Sequence, residues 1–354
     1  MLKKKENNTT LINKFSFSMK SGVTLTKCYI ILLFMMLPQI LKSQVETIVF
    51  HNCENFFYPT NDPLTNDDNF TPEAPRHWTM ERFNLKKDLI AKTYIDLSKG
   101  NLPAIIGLCE IENNQVLEAL CYDSPLRKGK YKYIHYDSKD IRGIDVAMIY
   151  REDRFKVIKH QSISVDSNLV IDEPTRDVLY VNGILDKINL HIFIIHAPSR
   201  RNNNKNKGLR KSIFELVYKK AKEIYNSGER NIIVMGDFND NPWDKSVVEG
   251  FKTAKYGNYV PLLNNLMRND KGKRGSYAYL GEVLNFDQVL VSNEVLQKID
   301  TLTTSSHIFT PNYLIEQNPK NNITIPFSTY KGMRYQGGVS DHLPVFFRIV
   351  TTKK

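Results

Sequence analysis

The chain has 354 residues, 41% of them hydrophobic and 25% charged, with a formal net charge of +11. That length can bury one large core or two modest ones, and the balance is ordinary for a globular protein. No segment recurs at a period of roughly 20 to 50 residues, which argues against a solenoid or a propeller.

Residues 1–43 read as a signal peptide. Lys3, Lys4, Lys5, Lys14, Lys20 and Lys27 form a basic leader, and the uncharged run Cys28–Leu41 follows. The run is shorter than the ~20 residues needed to cross a bilayer. Ser43 then offers a small residue where a peptidase can cut, with an uncleaved anchor as the alternative. The leader is long, so Met19 is a second candidate start. Cys28 lies ahead of the apolar run, where a lipoprotein cysteine would not sit. Cleavage predicts an exported protein, periplasmic or secreted, with no membrane attachment afterwards. The leader holds seven Lys and one Glu, so its removal leaves 42 basic and 37 acidic residues, a net charge of +5. A mildly basic protein suits a polyanionic substrate without requiring one. Cys53, Cys109 and Cys121 remain, and an odd number among apolar neighbours reads as small buried hydrophobes, not a disulfide framework.

From residue 44 the pattern alternates between strand and helix. Val45–Asn52 is a strand ending in N-C-E-N-F-F, and Pro59–Pro75 is a long loop, either functional or mobile. Thr79–Leu97 has helical spacing in Met80, Phe83, Ile90, Tyr94 and Leu97. Pro103–Leu108 is a short strand that leads into Cys109-Glu110-Ile111-Glu112-Asn113, and Val116–Leu120 belongs to a helix. Strands follow at Tyr131–Tyr136, Asp145–Tyr150, Phe155–Ile158, Asp177–Leu185 and His191–Ile195. Gly208–Tyr225 is amphipathic, with Leu209, Ile213, Leu216, Val217 and Ile224 on one face. Ile232–Met235 runs into G-D-F-N-D, where Gly236 is expected to let the chain bend and to present Asp237 and Asn239 in the turn. Val283–Val291 and Pro344–Val350 complete the set. Mixed order with hairpin-length gaps points to stacked sheets covered by helices, in one domain.

Polar residues gather at the expected strand ends: Asn52 with Glu54, Glu110 with Glu112, His196, Asp237 with Asn239, Asp287, and Ser340-Asp341-His342. Each alone has a plain structural explanation: a turn cap, a helix start, a satisfied core histidine. Recurrence of all six at strand ends points to a common rim. Carboxylates that accept or ligate, and amides that donate to anionic oxygen, suit a metal-phosphate site.

These motifs resemble the endonuclease/exonuclease/phosphatase superfamily of deoxyribonuclease I, the apurinic endonucleases, neutral sphingomyelinases and inositol polyphosphate 5-phosphatases. The likeness runs from Ile48 to Val350, which makes residues 44–354 the domain. G-D-F-N-D with S-D-H-L-P is specific; N-C-E-N fits more loosely. H-A-P-S at His196–Ser199 resembles deoxyribonuclease I in particular. N-D-D-N-F-T-P-E and G-M-R-Y-Q-G-G-V-S-D-H resemble exported bacterial members. The resemblance implies an α/β fold, a four-layer α/β sandwich of two β-sheets face to face, flanked by helices. It implies Mg²⁺, with Mn²⁺ as the substitute, on Glu110 with Asn52 and Asp341 directly or through water. Asp287 would orient His342, which takes a proton from water or contacts the phosphate; Asp237 would orient or deprotonate the water. Asn239 and Arg176 would bind the phosphate, and His196 would stand near the leaving group as a general acid. Glu54 and Glu112 read as supporting groups. The implied activity is metal-dependent phosphodiester hydrolysis by direct attack of water, with nucleic acid as substrate and no stable protein partner. A phosphatase or a lipid or inositol phosphate phosphodiesterase is the alternative, and an inactive binding protein a third. Arg200-Arg201 and Lys205–Lys211 are candidate phosphate contacts or a solvated face.

Overall fold

The computed structural model describes residues 44–165, 174–200, 204–254, 260–268, 275–300 and 307–351. The leader expected over residues 1–43 lies outside the described residues. In chain order the first half contains β1 (Gln44–Phe56), α1 (Met80–Leu97), β2 (Ile105–Ile111), α2 (Asn114–Tyr122), β3 (Tyr131–His135) and β4 (Asp145–Arg151). The second contains β5 (Phe155–Ile163), β6 (Val178–Leu185), β7 (Ile188–His196), α3 (Lys207–Asn226), β8 (Ile232–Asp237) and α4 (Lys245–Gly250). There follow β9 (Leu263–Asn265), the hairpin β10 (Tyr277–Tyr279) and β11 (Glu282–Leu284), and β12 (Asp287–Ser292) with the short α5 (Asn293–Leu296). Two small hairpins, β13 (Ile315–Gln317) with β14 (Thr324–Pro326) and β15 (Tyr330–Lys331) with β16 (Arg334–Tyr335), precede β17 (Val345–Thr351).

One sheet runs β17-β1-β2-β4-β3 and the other β5-β6-β7-β8-β12-β9. Strand alternation decides which residues face the space between the sheets. On β7, Leu190, Ile192 and Ile194 join the large shared core, while Phe193 and Ile195 pack outward with Ile213, Phe214 and Val217 of α3. On β8, Ile233 and Met235 face inward, and Ile232 and Val234 face α3. Where both faces are covered, over Ile192–Ile195 and Ile232–Met235, the strands carry no polar alternation. The outer side of the other sheet is covered from α1, whose Phe83, Ile90, Tyr94 and Leu97 are buried. Helix, sheet, sheet, helix is the four-layer α/β sandwich. Gly107 leaves room for the facing sheet; an added Cβ would lie 2.7 Å from Met235 Cε. Among the described residues no helix is long and apolar enough to cross a membrane. Cys53, Cys109 and Cys121 are buried and free, as small core hydrophobes.

Strand direction determines what reaches the rim. β1 pairs parallel with β2, and β7 with β8, so all four deliver their C-terminal residues. β17 pairs antiparallel with β1, and β12 with β8, so these two deliver their starts. Asp287 therefore opens its strand and the segment 340–342 precedes its own, where the sequence pattern had both at the far ends of strands. Val283–Val291 is likewise not one strand. Asn285 leaves the ladder because its N–H is taken by Asn241 Oδ1 at 2.9 Å, and the Phe286 carbonyl accepts from Phe238 N at 2.8 Å. Gly236 also departs from expectation, because it lies within β8 and makes no bend. It is glycine because a Cβ there would lie 2.2 Å from the Ile195 carbonyl oxygen of β7. The chain turns at Asn239, which adopts φ +51°. The loop 59–75 is tied down by Phe70, stacked on Phe57 at 4.4 Å, and by Trp78 Nε1, which donates to the Phe57 carbonyl at 2.9 Å.

Candidate active site

Glu110, Glu54, Asn55 and Asn239 all hold left-handed backbone, with φ of +59°, +47°, +48° and +51°. Each such non-glycine residue costs on the order of 1 kcal/mol or more and persists only where its surroundings impose it. At Glu110 the cause is a break in the β2–β4 register between Cys109 and Ile111, and β1 has a similar break between Asn52 and Phe56. Such irregularities re-aim side chains at the end of a strand. Here they turn Asn55 N–H onto Glu110 Oε2 at 2.7 Å and leave Oε1 beside Asn52 Nδ2 at 3.3 Å.

All the residues expected at the site meet at this rim. Asn52 Nδ2 also donates to Asp237 Oδ2 at 3.1 Å, so one amide bridges a carboxylate from each sheet. Hydrogen bonds to charged groups contribute roughly 1.5–3 kcal/mol, enough to fix their separation. His342 Nδ1 lies 2.7 Å from Asp287 Oδ2, and its Nε2 lies 3.9 Å from Asp237 and 4.0 Å from Asp341. Asn239 N donates to Asp237 Oδ1 at 2.9 Å, and its Nδ2 donates to the Ala197 carbonyl at 3.0 Å. His196 Nε2 lies 3.6 Å from Asp237 and 3.8 Å from Glu110. The Arg176 guanidinium lies against that imidazole, its Nε 3.2 Å from Nδ1, and grips Asp140 at 3.1 Å on the other side. Glu54 accepts from Thr329 N and Tyr330 N at 2.7 and 3.0 Å, and Glu112 accepts from Tyr58 N at 2.6 Å. Both brace loops around the cleft.

Electrostatics separate the groups by task. Burial works to lower the His342 imidazole, but Asp287, Asp237 and Asp341 outweigh it and hold the ring well above its ordinary value, as the imidazolium. Burial first, with Asp287 adding, pushes Asp237 up to about 6. A carboxylate in that range is suited to accept a proton near neutral pH. His196 goes the other way: burial, then the Arg176 and Arg142 charges, holds it well below its ordinary value. A neutral imidazole can donate one N–H to a leaving oxygen but has no extra proton to supply, which changes the role expected for His196. Burial acts to raise Glu110, yet Arg142 and the Asn55 N–H hold it below the usual carboxylate range. Burial, then Glu54 and Glu110, pushes Asp341 up to about 8.

The donor set fits a hard dication. Glu110 is ionised with Oε1 facing the cleft, and Asp341, crowded by Glu54 and Glu110, gains from a neighbouring positive charge. Magnesium prefers one or two carboxylates and fills its remaining positions with water or phosphate oxygen. Of the two roles expected for Asn52, the geometry favours the one through water. Asn52 Oδ1 accepts from Glu54 N at 2.9 Å, so its amide positions Glu110 by donation, and ligation would pass through water. Asp237, Asp287 and His342 also offer ligand atoms within 4.8 Å of one another, but Asp287 is fully buried against His342 Nδ1 and acts as the anchor of that ring.

Sequence reasoning missed Arg142, Asp140 and Tyr277. The β3–β4 loop carries Asp140 and Arg142; Arg142 Nε lies 3.4 Å from Asp140 Oδ1, and its charge reaches Glu110 and His196. An arginine and glycine just ahead of a strand, R-G-I-D-V, was the available signal. Tyr277 stacks on His342 at 4.5 Å and 24°, a contact between distant segments with no local signature. Arg200 pairs with Asp240 and Asp244, and the fully buried Arg210 holds Asp240 at 2.7 Å. These two arginines brace the G-D-F-N-D turn and are committed to carboxylates, not to a substrate backbone. Arg201 lies outside the described residues.

The sequence profile of the Endonuclease/Exonuclease/phosphatase family matches residues 47–351. Among solved structures, an endonuclease/exonuclease/phosphatase family protein from Bacteroides thetaiotaomicron is similar with a TM-score of 0.54 at 16% identity, covering 88% of this chain and 96% of that one. Bacteroides thetaiotaomicron mannosyl-6-phosphatase gives 0.52 at 15%, over 86% and 100%. A humanized D. rerio TDP2 carrying 14 mutations gives 0.52 at 14%, over 87% and 99%. At such identities the likeness speaks for the fold alone. A search of curated protein sequences gives no match.

Proposed function

This chain belongs to the endonuclease/exonuclease/phosphatase family, whose members are divalent-metal-dependent hydrolases of phosphoesters, and we propose that it is an exported phosphodiester hydrolase cutting DNA or RNA by direct attack of water. The observation that carries the hydrolase reading is the His342 imidazole held between Asp287 at 2.7 Å and Asp237 at 3.9 Å, with Asn52 linking Asp237 to Glu110. Glu110 and Asp341, with Asn52 through water, would hold the dication, which supplies charge to the phosphate oxygens. Asp237 orients the water and takes its proton. Cationic His342 faces the non-bridging oxygens as charge develops, the Asn239 amide would join it by turning from the Ala197 carbonyl, and neutral His196, steadied by Arg176, donates to the departing oxygen. Among the described residues the serine in the network, Ser340, has its hydroxyl committed to the Asn52 carbonyl at 2.7 Å, which supports a single displacement; trapping a phosphorylated enzyme would refute it.

The nucleic-acid reading draws on the basic chain left after the leader and on H-A-P-S. A second reading, hydrolysis of a small soluble phosphomonoester, gains from Arg200 and Arg210 being committed to Asp240 and Asp244. The deciding assay is a panel of plasmid DNA, RNA, sphingomyelin, inositol phosphates, mannose 6-phosphate and a bis-aryl phosphodiester, each with Mg²⁺ or Mn²⁺. Strand cleavage with no phosphate release from the sugar phosphate supports the nuclease. The reverse pattern replaces it with the phosphatase, and no metal-dependent turnover on any member leaves the inactive binding protein.

A further inference from the structure

His135 closes β3, Asp145 opens β4, and Asp137 stands in the loop between them. His135 Nδ1 lies 3.7 Å from Asp137 Oδ1, and Nε2 lies 3.8 Å from Asp145 Oδ2. One ligand atom from each of the three residues falls within 4.8 Å of the other two. These separations are too long for hydrogen bonds. The two carboxylates face different nitrogens of the one ring, so a shared ion would take one nitrogen, with ligands about 2.1 Å away, and draw in the farther carboxylate.

A second observation points the same way. His135 Nε2 and Asp145 Oδ1 are both buried with no hydrogen-bond partner, on side chains that are 2% and 5% exposed. Leaving a buried polar atom unpaired is costly, and one on each of two neighbouring side chains needs an explanation. Burial also sets the protonation of the cluster: it holds His135 low, in the neutral form that offers a lone pair, and pushes Asp145 up to about 6, a carboxylate short of positive charge. Asp137, at 89% exposed, leaves the solvent side open for entry and for water ligands.

We propose that His135, Asp137 and Asp145 form a second cation site, separate from the catalytic cleft, that takes a divalent transition metal of the Zn²⁺ type. The imidazole decides the class, because calcium and magnesium favour all-oxygen sets whereas one nitrogen with two carboxylates suits zinc or manganese. The ligands bracket the loop that carries Asp140 and Arg142, and Asp140 holds Arg176 at 3.1 Å beside His196. The ion staples the two ends of that loop and so fixes the arginine arm of the cleft.

The test uses the full chain, stripped with EDTA and dialysed against Zn²⁺ alone, with bound metal counted by mass spectrometry. A Glu110→Gln background suppresses cleft binding. In that background one Zn²⁺ per chain and a rise in Tm are expected, with Ca²⁺ giving neither. Adding Asp137→Asn, which alters an exposed side chain and leaves the metal-free Tm unchanged, weakens Zn²⁺ binding by at least about tenfold. Adding His135→Asn abolishes it. An E110Q protein that binds no Zn²⁺ overturns the proposal, and so does unchanged Zn²⁺ affinity in E110Q/D137N.

Discussion

Replacing Asp287 by Asn keeps the shape of a fully buried side chain and removes one charge. Asp287 Oδ2 lies 2.7 Å from His342 Nδ1. At an effective dielectric of about 20, that contact is worth roughly 6 kcal/mol between full charges, an upper figure of about 4 pKa units on the imidazole. Asp237 and Asp341 remain at 3.9 and 4.0 Å and retain part of the field. The net fall expected in D287N is therefore about 1–3 units. The amide also presents N–H to Nδ1, which reverses the tautomer that the carboxylate imposes. Both changes take positive charge away from the phosphate oxygens, so kcat/KM should drop by ~10²–10⁴. The assay is hydrolysis of a bis-aryl phosphodiester with Mn²⁺ across pH 5–10, with circular dichroism to confirm folding. The wild type should lose activity on the alkaline side as His342 deprotonates, and in the folded variant that limb should move to lower pH. A folded D287N enzyme with wild-type rate and an unmoved alkaline limb would refute the reasoning.

Further expectations follow from other groups. His51 lies buried between the Tyr94 hydroxyl at 3.1 Å and the His342 carbonyl at 3.3 Å, and burial lowers it to about 3 from 6.5. Its folded value is depressed, so the stability it contributes is complete above pH 6.5 and is lost as pH falls toward 3, by up to about 1.4 kcal/mol per unit. Urea titrations of H51Q should show a flatter acid limb than the wild type; equal slopes count against this. Glu110→Gln should cut turnover by at least ~10³ and should not be rescued by saturating Mg²⁺; full rescue would move the ion elsewhere. If the leader is cleaved as proposed, intact-mass analysis of the protein isolated from its host should place the mature N-terminus at Gln44, and a retained leader would support the anchor instead.

Much of the site was legible because strand ends announce themselves locally. An apolar run that stops at N-C-E-N, C-E-I-E or G-D-F-N-D gives both the element and the residue handed to the rim. What stayed hidden depends on partners distant in sequence. Gly236 resembles a turn glycine, yet its reason is the Ile195 carbonyl of the neighbouring strand, and the turn falls on Asn239. Val283–Val291 reads as one strand because the Asn241 side chain that diverts Asn285 lies 44 residues away. Charge runs misled for the same reason: Arg200 and Arg210 look free in sequence and are paired in space. The protonation of His196 and His342 could not be read from the chain at all. It depends on which of the buried carboxylates and guanidiniums lies next to each ring.

The most direct test is a crystal structure with Mn²⁺ and inorganic phosphate, located by anomalous scattering. The account predicts a single cleft ion about 2.1 Å from Glu110 Oε1, with a phosphate oxygen completing its coordination and turned toward His342 and Asn239. A cleft ion bound instead by Asp237 and Asp287, with Glu110 still joined to Asn52 and the phosphate elsewhere, would contradict it.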